Sequence, residues 1–95
     1  MTVTLNTERD QDGFTLTDPG DAAKLYRIEW DPTAAVYVLR CTDPNWLAAK
    51  RRRLHVSKLA TNVLSRHVSM EGAEFTALAH RADRLAALRY GLSAA

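Results

Sequence analysis

The chain has 95 residues, 46% hydrophobic and 25% charged, with one cysteine and a formal net charge of +2. That length supports one hydrophobic core and is too short for two, and the composition is that of a folding protein, not a disordered one. A lone cysteine excludes an internal disulfide and a multi-cysteine zinc site. No run approaches the roughly 20 apolar residues that span a bilayer. Met1-Thr2-Val3-Thr4-Leu5 lacks the basic-then-apolar order of a secretory signal, so a cytoplasmic protein without membrane contact is expected.

The small net charge conceals a split. Residues 1–43 carry eight acids against four bases, whereas residues 44–95 carry nine bases against three acids. Either the halves attract one another, within one fold or across a head-to-tail dimer, or the basic half presents a face to a polyanion.

In chain order, Thr2 to Thr7 alternates, with Val3 and Leu5 on one face, and Gly13 to Thr17 does so with Phe14 and Leu16. Asp12-Gly13 between them is a turn signal, predicting a hairpin. Asp18-Pro19-Gly20-Asp21 reads as a second turn, since proline fixes φ and glycine accepts positive φ. Lys24 to Trp30 has the period-two pattern of a half-buried strand, with Tyr26, Ile28 and Trp30 on one face. Asp31-Pro32-Thr33 breaks it. Ala34 to Cys41 is apolar on both faces, which predicts a central strand.

Asp43-Pro44 marks the changeover to helix, because an N-cap aspartate accepts orphan amide bonds and proline at the first helical position loses none. A helix from Pro44 to about Arg53 follows, with a break over Leu54 to Ser57. The spacing of Val56, Leu59, Ala60, Val63, Leu64, His67 and Val68 predicts a second helix capped by Ser57, although one bent helix over 44–68 also fits. Ser69 is placed to cap a third helix from about Met70 to Tyr90, stopped by Gly91. Its stripe of Phe75, Leu78, Ala82, Leu85 and Leu92, with many alanines, suits either the main core helix or a dimer seam. Ser93-Ala94-Ala95 is expected to fray.

The expectation is a single α+β domain over residues 1–95. An antiparallel sheet of three or four strands in the acidic half, 1–43, packs against two or three helices in the basic half, 44–92.

Chemistry-bearing motifs are sparse. His55, His67 and His80 fall in three separate segments and lack the i, i+4 spacing of helical metal ligands. Cys41 ends a buried strand, where cysteine packs as a small apolar residue more readily than it acts as a nucleophile. Asp10-Gln11-Asp12-Gly13 lacks the later bidentate acid of a calcium loop, and the four glycines make no phosphate cradle. Trp30, Tyr26 and Tyr37 suit a core beneath helices better than an exposed binding platform. Neither an enzyme nor a cofactor is expected.

The candidate binding residues are therefore Lys50, Arg51, Arg52, Arg53, Lys58, Asn62 and Arg66. On a helix, four consecutive residues fan over about 300°, so the 50–53 run cannot share one face. It offers phosphate attraction, or else a solvated helix end whose cations complement the dipole. Lys58, Thr61, Asn62, Ser65 and Arg66 share the polar side of the expected second helix, where Asn and Arg can read adenine and guanine edges. These residues point to a small non-enzymatic protein whose helical half contacts nucleic acid or a nucleoprotein complex. The alternative is a protein-interaction module using its basic or acidic face, such as an adaptor or a phage-type inhibitor, an anti-CRISPR protein for example. A homodimer fits either.

Overall fold

A computed structural model describes residues 3–54 and 62–89, with backbone alone for 50–54. Its elements in chain order are β1 (Asn6–Arg9), β2 (Gly13–Thr17), β3 (Lys24–Asp31), β4 (Val36–Cys41), α1 (Pro44–Leu54), β5 (Val63–His67) and α2 (Met70–Arg89). The α+β class of the sequence reading holds. The sheet has five antiparallel strands in the order β1-β2-β3-β4-β5, one more than the most expected, and the described residues form two helices.

Each of the first three connections is a local aspartate device. In the β1–β2 turn, Asp10 Oδ1 accepts from the amides of Asp12 and Gly13 at 2.8 and 2.9 Å. Asp18 Oδ1 accepts from Gly20 N, and Asp31 Oδ1 from Thr33 N and Ala34 N, in the next two turns. Such bonds let a short polar side chain replace a backbone turn contact. Ala22 and Ala35, though not glycines, take positive φ at 60° and 56° at the ends of the second and third turns. Gly13 is glycine for a different reason: a Cβ there would sit 2.2 Å from the carbonyl oxygen of Ile28 on β3. The first strand runs from Asn6 to Arg9, later than the expected Thr2 to Thr7, because Arg9 pairs with Phe14 and Thr7 with Leu16.

The expected second helix is corrected over its C-terminal part. Val63 to His67 is an edge strand paired with β4, Tyr37 opposite His67 and Leu39 opposite Ser65. β3 satisfies the backbone N–H and C=O groups along one edge of β4, and β5 satisfies those along the other. The earlier part of that helix, with its Ser57 cap and Lys58, lies outside the described residues, as do the expected Gly91 stop and the frayed C-terminus.

The α1 start follows its sequence signal, with Asp43 Oδ1 accepting from Asn45 N at 3.0 Å. Ser69 Oγ likewise accepts from Gly72 N at 3.1 Å at the head of α2. α2 crosses one face of the sheet over β3, β4 and β5. There Leu16, Tyr26, Ile28, Leu39 and Cys41 close on Ala73 and Ala77, with Phe14, Tyr37, Trp46 and Met70 packed around them. Large sheet side chains meet alanines on the helix, which lets the backbones approach closely. Phe75 and Ala82, from the apolar stripe, lie exposed on the side of α2 turned away from this core.

Candidate binding surface

The pairings β2–β3, β3–β4 and β4–β5 set Thr15, Arg27 and Arg40 in one row and Glu29, Val38 and Arg66 in the next. These rows alternate in register with the buried Ile28 and Leu39, so they occupy the sheet face opposite α2. Apart from Val38 that face is polar, and its Arg27 and Arg40 are paired within it. Arg27 grips Asp10 through both terminal nitrogens, with Nη2 to Oδ1 at 2.8 Å, and donates to Thr15 Oγ1 at 2.9 Å. Arg40 donates to Glu29 Oε1 through Nε at 2.7 Å and to Asn62 Oδ1 through Nη1 at 2.9 Å. The Arg27 guanidinium and the turn amides hold the Asp10 carboxyl below the usual carboxylate range, and Asp10 in turn raises Arg27.

A third long-range pair, Arg81 Nη2 to Asp18 Oδ2 at 2.9 Å, ties α2 to the β2–β3 turn. Asp18 is lowered first by the Gly20 amide and then by Arg81. Together these contacts occupy three acids of the first half, Asp10, Asp18 and Glu29. All three arginines that occupy them, Arg27, Arg40 and Arg81, come from outside the 50–66 segment.

The sequence-expected site residues fall into separate places. Lys50, Arg51, Arg52 and Arg53 lie in the last turns of α1, and Lys58 is outside the described residues. Asn62 is not on a groove-reading helix. Its backbone carbonyl accepts from Cys41 N at 2.8 Å and its side-chain oxygen from Arg40, both at the entry to β5. Arg66 projects from β5 and is exposed; among the described residues no acid lies within ion-pair distance of it. The expected shared helix face for Asn62, Ser65 and Arg66 is therefore replaced by a strand, on which Ser65 and Arg66 point to opposite sides of the sheet.

The charge split is sharper than a division into halves. Between Pro44 and Met70 there are six Lys and Arg residues and no Asp or Glu, and from Glu71 onward three bases match three acids. The positive excess thus belongs to α1, the connection after it and β5.

The aromatic residues divide. Tyr26 is core, as expected, whereas Trp30 remains 48% exposed and packs against Tyr37 with ring planes tilted by 60° and centroids 4.9 Å apart. Beside them a shallow concavity of about 370 Å³ is lined by Arg9, Asp12, Phe14, Trp30 and Tyr37. The alternation of β3 put Trp30 and Tyr26 on one face; α2 covers only the Tyr26 end. Among the described residues no three His, Cys, Asp or Glu side chains converge to hold a metal ion, and no helix is long and apolar enough to cross a membrane. No family model, curated protein or solved structure matches the chain.

Proposed function

We propose that this chain is a small non-enzymatic binding protein that contacts nucleic acid, or a nucleoprotein complex, through the basic segment from Lys50 to Arg66. The observation that carries the reading is the occupation of Asp10, Asp18 and Glu29 by Arg27, Arg81 and Arg40. These carboxylates are engaged elsewhere, so they do not neutralise the acid-free segment. The six cations between Pro44 and Met70, with no acid among them in sequence, are a concentrated source of attraction for phosphates. With Asn62 bonded within the fold and β5 in place of a recognition helix, the contact is to the backbone of the nucleic acid and is weakly sequence-selective.

Fluorescence anisotropy against labelled duplex and single-stranded oligonucleotides at low salt tests this. Binding is expected to weaken with salt, log affinity falling by about 0.9 per phosphate contacted for each tenfold rise in salt on duplex DNA. Replacing Arg51, Arg52 and Arg53 together by alanine should reduce both affinity and slope. No binding at low salt, or binding indifferent to the triple replacement, rejects the reading.

The exposed Trp30 favours a second reading, a protein-interaction module of the adaptor or phage-inhibitor type, because half-exposed aromatics on a rigid strand make interface anchors. Capture of partners from a nuclease-treated lysate, abolished by Trp30→Ala, is the outcome that separates it from nucleic-acid binding.

A further inference from the structure

We propose that α2 is the seam of an antiparallel homodimer, in which Phe75 of each protomer enters a concavity on the other lined by Val3, Ala82, Leu85 and Ala86.

The side of α2 facing the sheet carries Ala73 and Ala77, both fully buried, together with His80. The opposite side carries Phe75, Ala79, Ala82 and Ala86, all exposed, with Leu78 and Leu85 half-buried along its border. Phe75 is 74% exposed, an unusual setting for an aromatic ring in the middle of a long helix. Phe75, Leu78, Ala82, Leu85 and Arg89 follow one another at intervals of three, four, three and four residues. That is the seam spacing of two helices crossing at about 20°.

The occupant is specified by the symmetry of the stripe. About the level of His80, Phe75 and Leu85 lie equally far on either side, as do Leu78 and Ala82, and Glu71 and Arg89. An identical helix laid antiparallel across a two-fold axis there sets Phe75 against the partner's Leu85, and Leu78 against the partner's Ala82. Every contact is made twice, as an isologous interface requires. The end charges agree with this direction, since an acidic first turn meets a basic last turn, whereas a parallel pair would set like against like. This is a matter of sign along the helix and does not require Arg89 to be otherwise unengaged. Alanines at 79, 82 and 86 allow the close approach.

The concavity supplies the independent observation. It has a volume of about 150 Å³ and is lined by Val3, Ala82, Leu85, Ala86 and Arg89, at the level where the two-fold places the partner's Phe75. A space of roughly that size accepts a benzene ring.

Sedimentation equilibrium of the full chain from micromolar to near-millimolar concentration tests the seam, and the mass is expected to rise from one chain to two. Phe75→Asp and Ala82→Arg change exposed positions, so each should keep the far-ultraviolet circular dichroism of the parent. Each should weaken the dimer by at least about 30-fold. Oxidising a mixture of Phe75→Cys and Leu85→Cys chains should give mainly the mixed disulfide, since Cys41 is buried. A single-chain mass throughout, even for a chain that retains another protein through this face, overturns the proposal. So does a dimer untouched by both substitutions, or a preference for the Phe75→Cys self-disulfide.

Discussion

The Tyr26 hydroxyl lies 2.6 Å from Nδ1 of His80, joining the centre of the sheet to the middle of α2. The two rings meet edge to face at 5.6 Å, and Trp46 of α1 also meets the imidazole edge to face, at 5.5 Å. Three elements therefore converge on one polar side chain in an otherwise apolar contact. Burial raises the Tyr26 hydroxyl well above its usual range, so it stays protonated, and it lowers His80, so the imidazole stays neutral; Nδ1 accepts from the hydroxyl in the Nε2-protonated tautomer and donates to it in the other. Removing the hydroxyl leaves Nδ1 without this partner in either tautomer, and Tyr26→Phe should cost about 1 to 2 kcal/mol by urea denaturation.

The same pair predicts a pH dependence. Desolvation first, then Arg84, holds His80 below its ordinary value, while Asp83 and Asp43 act weakly the other way. The unfolded chain thus takes up the imidazole proton before the folded one as pH falls. Stability from neutral His80 is complete above about pH 6.5, the ordinary histidine value, and is lost as pH drops toward the lowered folded value. Thermal midpoints between pH 5 and 8 should fall on the acid side for the parent. They should flatten in His80→Gln, whose amide can still hydrogen-bond the Tyr26 hydroxyl. A parallel decline in both proteins would place the sensitivity elsewhere.

Gly13→Ala is expected to destabilise by about 1 to 3 kcal/mol, because its new methyl would strike the Ile28 carbonyl of the adjacent strand and force the backbones apart. Gly20→Ala provides the contrast. There the nearest atom is Asp18 Oδ1 at 3.1 Å, at the end of a side chain that can yield. Chemical denaturation of the two variants should separate them clearly, and equal effects would show that strand spacing is not what Gly13 protects.

The two middle hairpin strands and both helix starts were legible because they rest on local chemistry. Tyr26-x-Ile28-x-Trp30 alternates, and Asp43 and Ser69 cap wherever an amide needs an acceptor. Two features were not legible, for one physical reason: each depends on what the rest of the sheet already supplies. Val63 to His67 has apolar residues at helical spacing, but β4 lacked a second neighbour, and pairing its backbone outweighed the propensity of five residues. The reading of Ala34 to Cys41 as a central strand already implied such a neighbour. In α2, the sheet side chains Tyr26, Ile28 and Leu39 fill the layer, so it accepts the alanine side of the helix and leaves Phe75 outside. The expected recognition surface fell with the expected helix, since a strand sends Ser65 and Arg66 to opposite faces.

Cys41 offers a direct probe of the core. It ends β4 opposite Tyr26, is 1% exposed, and its amide donates to the carbonyl of Asn62. A thiol reagent can reach it only when this end of the sheet opens, so labelling should be slow in the native chain and immediate in denaturant. Tyr26→Phe should speed native-state labelling, because the opening that exposes Cys41 parts the sheet from α2, where the lost hydrogen bond lay. Trp30→Ala, beyond the covered end of the sheet, should leave the rate nearly unchanged. If both substitutions accelerate labelling equally, the thiol is being exposed by global unfolding and the Tyr26–His80 contact does not hold a local gate.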